Sequence, residues 1–128
     1  LLKKGGIEVI DKGTNSKESV DYPKYGHAVA NAVVSKEVDF GILVCTTGVG
    51  ISIAANKIKG VRAALCTDTT TAKLTREHND ANILALGSGI VGQFVALDIV
   101  DTFLSTSFEG GRHQKRVDQI EVEGCNLF

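Results

Sequence analysis

DFGILVCTTGVGISIAANK, from Asp39 to Lys57, is the stretch on which the fold turns. Phe40-Gly41-Ile42-Leu43-Val44 is a short apolar run behind a charged residue, with the length and composition of a parallel strand buried on both faces. It ends at Cys45, and the turn Thr46-Thr47-Gly48-Val49-Gly50 follows. Ile51 to Lys57 then reads as a helix whose first turn points back at the thiol. Strand, turn and helix start together set a sulfur beside free backbone N–H groups at the carboxyl edge of a sheet, where open α/β folds bind ligands. A helix N-terminus favours anions and lowers the pKa of a nearby cysteine.

Working outward, Leu1 to Lys4 reads as a helix end stopped by Gly5 or Gly6, and Ile7-Glu8-Val9-Ile10-Asp11 alternates like a strand. Thr14 to Asp21 is a polar loop. Tyr22-Pro23 opens a helix with Asp21 as its N-cap and Ala28, Val29, Ala32 and Val33 as its apolar stripe. Beyond the central stretch, Val61 to Cys66 reads as a strand. Asp68 or Thr69 caps a helix running through Thr71 to His78, and Asn82 to Leu86 is a further buried strand. Val95, Ile99, Val100, Phe103 and Leu104 recur at helical spacing within Gly92 to Ser105, and a last helix runs from about Arg112 to Val122. Strands alternate with helices throughout, so the expected fold is an α/β Rossmann-like three-layer arrangement, a parallel sheet flanked by helices.

The 128 residues fit a single domain, 1–128, with a core of its own, and a net charge of -1 gives no reason to expect a nucleic-acid or acidic-membrane partner. Three cysteines at irregular spacing, with no CxxC, argue against a disulfide framework and against a zinc site. No apolar run reaches membrane-spanning length and no signal peptide is visible, which makes the cytoplasm the expected location.

Familiar motifs fail at the central turn. A dinucleotide fingerprint needs glycine where Ile53 stands, and a cysteine-phosphatase loop needs arginine where Ile51 stands. The case for chemistry therefore depends on convergence. Cys45 is a candidate base or nucleophile, set against the alternative of a structural cysteine. Cys66 reads as core and Cys125 as incidental. His78, just before a strand, reads alone as a solvated histidine. Arg112 and Arg116 share a helix face within EGGRHQKR and could grip one phosphate, or form a plain basic face.

Three blocks, the turn followed by SIAANK, REHNDANILALG and GGRHQKRV, come in an order that resembles ribose-5-phosphate isomerase type B, a family shared with galactose-6-phosphate and allose-6-phosphate isomerases. The similarity runs from Gly5 to about Glu121. The resemblance implies a cofactor-independent, metal-free aldose–ketose isomerisation. Cys45 matches the base that moves a proton between carbon 2 and carbon 1, the backbone N–H groups of Thr47, Gly48, Val49 and Gly50 match the anion hole, and Thr46 falls among the substrate-binding positions. Thr47 and His78 match groups associated with ring opening, Asn79 a sugar-binding amide, and Arg112 and Arg116 phosphate ligands. It also implies a homodimer, or a tetramer, with sites between subunits and His78 serving its partner's site.

Three departures qualify these expectations. The family begins with a mid-sheet strand ending in an Asp-His pair; this sequence starts after it, so the expected domain is N-terminally incomplete and lacks that first strand. Thr46 replaces a usual glycine and, if φ there is positive, is strained by roughly 1–3 kcal/mol and crowds the anion hole. Gly89 replaces a usual phosphate-binding arginine, a loss of about 1.5–3 kcal/mol of binding. The competing readings are a galactose-6-phosphate or allose-6-phosphate isomerase and a non-catalytic sugar-phosphate-binding subunit. Galactose-6-phosphate enzymes pair two unlike subunits, one without the cysteine, and Cys45 makes this chain unlike that one. A thiol redox protein has only Cys45 behind it.

Overall fold

The computed structural model describes residues 7–13 and 21–121. Among these, three strands form one parallel sheet: β1 (Gly41–Cys45), β2 (Ala63–Leu65) and β3 (Ile83–Gly87), in the order β1-β3-β2. Five helices flank it: α1 (Tyr22–Val34), α2 (Val49–Asn56), α3 (Thr69–Asn79), α4 (Gln93–Ser105) and α5 (Arg112–Ile120). The α/β Rossmann-like architecture read from the sequence is the one observed.

Helices cover both faces of the sheet, which makes three layers. On one side Ala30 and Val33 of α1 and Ile51 and Ala55 of α2 pack with Leu43, Ile83 and Ala85. On the other, Ala72 of α3 and Ile99, Val100 and Phe103 of α4 pack with Leu84, Leu86 and Cys66. The central strand β3 is buried along its whole length, as a near-continuous apolar run should be. β1 differs from its expected burial: Gly41 and Leu43 face the core while Val44 is 55% exposed, because β1 is an edge strand among the described residues. On α1 the buried residues are Gly26, Ala30, Ala32 and Val33, so the stripe is rotated from the expected one, with Ala28 and Val29 only half-buried. On α4, Val95 lies outside the buried set.

Two local expectations fail. Ile7 to Asp11 forms no strand; alternation is not enough without a ladder partner, and none of the described strands pairs with it, leaving Ile7, Val9 and Ile10 exposed. Asp21 sits at the N-cap of α1, but its side chain makes no capping bond. The N-terminal helix end, most of the loop before Asp21, and Cys125 lie outside the described residues. No helix among the described residues is long and apolar enough to cross a membrane.

α3 is capped as the sequence predicts: the Thr71 amide donates to Asp68 Oδ1 at 2.6 Å and the Thr71 hydroxyl to Oδ2 at 3.0 Å. The amide bond from Thr71, with smaller help from its hydroxyl, holds the Asp68 carboxyl below the usual carboxylate range. A lowered folded pKa adds stability above the unfolded value and loses it as pH falls through the folded one. Asp68→Ala should therefore lower Tm at neutral pH, and thermal melts across an acid series should show the gap to wild type closing on acidification.

Two arginines fix the C-terminal end of α3. Arg76, buried, donates to the Thr106 carbonyl at 3.1 Å, to the Ala81 carbonyl at 2.7 Å and to Asp80 at 2.9 Å, and lies over the rings of Phe40 and Phe103. Arg62 donates to the Asn79 and Asp80 carbonyls and pairs with Glu121. Asp80 closes the helix in the left-handed region, at φ 47°. His78 and Asn79 thus stand on a turn clamped to α4, to the start of β2 and to the end of α5.

Candidate active site

Cys45, the last residue of β1, is half-buried, and the Gly48 amide donates to its Sγ at 3.2 Å. That bond requires the chain to reverse tightly after the strand. Gly48 does this at φ +79°, where a Cβ would also sit 2.6 Å from Leu65 and 2.8 Å from the Leu86 backbone. Gly48 is the N-cap of α2, so the sulfur lies at the N-terminal, electropositive end of that helix. The Val49 amide donates to Thr47 Oγ1 at 3.2 Å, and the Ser52 amide to the Gly48 carbonyl at 3.2 Å. Two of the backbone donors expected in an anion hole are therefore turned toward Cys45 and Thr47.

The loop after β3 locks this turn in place. Ser88 N–H donates to the Cys45 carbonyl at 2.8 Å and Gly89 N–H to the Thr46 carbonyl at 2.9 Å. A Cβ on Gly87 would lie 2.5 Å from the Thr47 carbonyl oxygen and 2.6 Å from its carbon, backbone atoms that cannot swing aside. Gly87→Ala should therefore displace the Thr47–Gly48 backbone while leaving the buried sheet assembled. A displacement near 1 Å is expected to cost about 10²-fold in turnover, with near-native circular dichroism; native turnover would show the turn to be yielding.

The strain expected at Thr46 is absent: the non-glycine residues with positive φ among those described are Lys36 and Asp80. The two departures from the family pattern within the described residues instead touch each other. A Cβ at Gly89 would lie 3.2 Å from Thr46 Cγ2 and 3.1 Å from its carbonyl oxygen, so the Thr46 methyl occupies space that a side chain at position 89 would press against.

The remaining sequence-predicted residues stand elsewhere. His78 and Asn79 end α3 just before β3 begins, at the amino edge of the sheet, whereas Cys45 is in register with Gly87 at the end of β3. A five-residue strand, about 13 Å of rise, lies between the two edges. Arg112 and Arg116 are exposed on α5, which packs on α3 and so joins the His78 group. One chain thus brings Cys45, Thr46, Thr47, Gly48, Val49 and Gly50 together at one end of the sheet, and gathers His78, Asn79, Arg112 and Arg116 near the other. A cavity of about 720 Å³ is also at the amino edge, lined by Asn56, Arg62, Ala63, Asn79 and Glu121 among others, away from the thiol.

Sequence reasoning passed over His113 and Glu109. His113 is buried and its ring stacks on His78 at 4.3 Å between centroids and 15° between planes. The Glu109 amide donates to the Glu77 carbonyl at 3.1 Å, which brings its carboxylate to both histidines. A clue was present: His113 and Val117, four apart, are the buried face of α5, opposite the arginines that drew notice. Cys66, fully buried, is core as expected; burial, with the Asp68 carboxylate nearby, pushes its thiol up to about 11.

The family model described as Ribose/Galactose Isomerase matches residues 1–120. The chain is 57% identical over 119 residues to ribose-5-phosphate isomerase B of Escherichia coli, covering 93% of this chain and 80% of that one. Among solved structures, a ribose-5-phosphate isomerase B of Clostridium thermocellum superposes with a TM-score of 0.93 at 62% identity, covering 94% and 81% of the two chains. That of Mycoplasma genitalium with bound ribulose-5-phosphate superposes at 0.89 with 47% identity, covering 94% and 80%.

Proposed function

The chain belongs to the ribose/galactose isomerase family, and from that membership we propose that it interconverts ribose 5-phosphate and ribulose 5-phosphate, the aldose–ketose step of the pentose phosphate pathway. The observation that carries the reading is the Cys45 sulfur 3.2 Å from the Gly48 amide at the start of α2. His78 assists opening of the furanose. The Cys45 thiolate then takes the proton from carbon 2 of the open aldose, and the electron pair moves through the new carbon–carbon double bond onto the carbonyl oxygen. Backbone N–H groups of the 47–50 turn hold that enediolate charge, those of Gly48 and Val49 once they leave Cys45 Sγ and Thr47 Oγ1, and oxyanion donors contribute about 3 kcal/mol each. The thiol returns the proton to carbon 1 while a proton passes between the two oxygens, which leaves the ketose. Asn79 holds a sugar hydroxyl, and Arg112 and Arg116 hold the phosphate. No cofactor enters this scheme.

Since one chain sets Cys45 and His78 at opposite edges of the sheet, the proposed site is shared between the two subunits of a homodimer. Exposed apolar side chains near the carboxyl edge, Val44, Ile90, Phe94 and Leu97, support such an assembly. The reading places the enzyme in the cytoplasm.

Formation of ribulose 5-phosphate from ribose 5-phosphate, with solvent deuterium entering carbon 1 of the ketose and, through the reverse reaction, carbon 2 of the recovered aldose, tests the function. Binding without exchange would instead favour a sugar-phosphate-binding subunit. Gly89, with the Thr46 methyl against it, gives a second reading, a six-carbon sugar phosphate as substrate. Faster turnover of galactose 6-phosphate or allose 6-phosphate in the same assay would select it. Arg116→Ala should raise KM for the phosphorylated sugar by about tenfold or more with a smaller change in kcat, as for a lost charge-assisted contact; an unchanged KM would return Arg116 to the solvated face of α5.

A further inference from the structure

His78, Glu109 and His113 bring their donor atoms close together, with the two imidazole rings stacked at 15°. Nε2 of His78 lies 3.6 Å and Nε2 of His113 lies 3.5 Å from the same Glu109 oxygen, Oε1. All three donor atoms fall within 4.8 Å of one another. These separations exceed those of charge-assisted hydrogen bonds, about 2.7–2.9 Å. The two nitrogen–oxygen separations match the span of two metal–ligand bonds of about 2.1 Å meeting at a tetrahedral angle, about 3.4 Å, and a turn of the partly exposed His78 ring out of the stack brings both imidazole lone pairs onto one ion.

The three groups stand on anchored backbone. His113 is held on the buried face of α5, with 9% of its side chain exposed. Glu109 is tied to α3 through the Glu77 carbonyl, and His78 ends the helix turn that Arg62 and Arg76 clamp. The side chains of His78 and Glu109 are 38% and 52% exposed, so an ion can enter from solvent. Two imidazoles and one carboxylate form a donor set suited to zinc-class ions rather than to magnesium or calcium, which prefer all-oxygen shells.

We propose that His78, Glu109 and His113 form a three-ligand site for a divalent transition-metal ion of the zinc class, with a fourth position open to water. The ion is not part of the proposed isomerase chemistry. Resting on that reading, it acts as an inhibitor: coordination occupies the His78 nitrogen needed for ring opening.

Titration with Zn2+ against a chromogenic chelator tests the site, using the full chain carrying Cys45→Ser so that the half-exposed thiol does not compete. One Zn2+ per chain is expected, weakened about tenfold or more in Glu109→Gln and in His113→Ala. Since His113 is buried, the exposed Glu109→Gln variant decides should the other fail to fold. Co2+ substitution adds a spectroscopic check. Bands of a nitrogen- and oxygen-ligated ion support the site, and a thiolate charge-transfer band would place the ion on a cysteine and overturn it. Equal Zn2+ affinity in parent and Glu109→Gln would also overturn it. In the chain with Cys45 restored, Zn2+ should inhibit ribulose 5-phosphate formation reversibly, with less inhibition in Glu109→Gln. Site-specific binding in a chain without isomerase activity would fault the functional reading and leave the metal site standing.

Discussion

Replacing Cys45 with alanine is expected to lower isomerase turnover by about 10²–10⁴-fold, the contribution of a positioned general base, while leaving affinity for ribose 5-phosphate nearly unchanged. The loss should be confined to chemistry because Cys45 contributes little else. It ends a strand at the edge of the sheet among the described residues, is half-buried, and packs at the margin of the α1–α2 side of the core. The proposed phosphate and sugar contacts come from Asn79, Arg112 and Arg116, which stand at the opposite edge of the sheet. The polar contact of its side chain is the Gly48 amide, which in the alanine variant remains at the helix start to bind an oxyanion or water. Cys45→Ser should be nearly as inactive, since a hydroxyl does not ionise at neutral pH even beside an amide donor. Two readouts separate the steps: deuterium wash-in at carbon 2 reports proton abstraction, and calorimetric titration with ribose 5-phosphate reports binding. Turnover within about tenfold of wild type would remove the thiol from the mechanism and move the search to a carboxylate or imidazole supplied across an interface.

Much of this was legible in the sequence because the fold is written in runs that local physics reads directly. Val44 and Cys45 end a strand before a Thr- and Gly-rich turn, and the observed β1 and α2 flank that turn closely. Of the two candidate caps, Asp68 and Thr69, the structure uses Asp68, whose short carboxylate accepts from the amide three residues on. What failed was information carried by neighbours. Ile7 to Asp11 alternates, yet a strand is a pairing and no described strand pairs with it. Val44 is apolar like its buried neighbours, yet edge position exposes it. Thr46 raised a concern about strain that its backbone dihedral removes, while its contact with Gly89 joins residues 43 positions apart in a way no local reading shows. The opposition of Cys45 and His78 was implicit in the topology: in a parallel sheet a residue ending a strand and a residue preceding one lie at opposite edges. Nothing in composition says so; the order of elements does.

That opposition leads to the second expected result, restoration of activity by mixing two inactive chains. Cys45→Ala lacks the proposed base and His78→Ala the proposed ring-opening group, so each homodimer should be nearly inactive. The two-fold symmetry of a homodimer would repeat the same site twice, each built from Cys45 of one subunit and His78 of the other. In a purified heterodimer of the two variants, one site then carries both substitutions and the other carries neither. Such a heterodimer, made by co-expression with two affinity tags, should recover about half the wild-type activity per dimer. If each site were built within one chain, both sites of the heterodimer would be defective and no activity would return. The distances favour recovery: the strand that separates the two edges is buried along its whole length and clamped at the His78 end by Arg62 and Arg76, so no loop motion carries His78 to the thiol. A heterodimer as inactive as its parents would mean that Cys45 and His78 do not meet across a subunit interface, and the shared-site arrangement would fall.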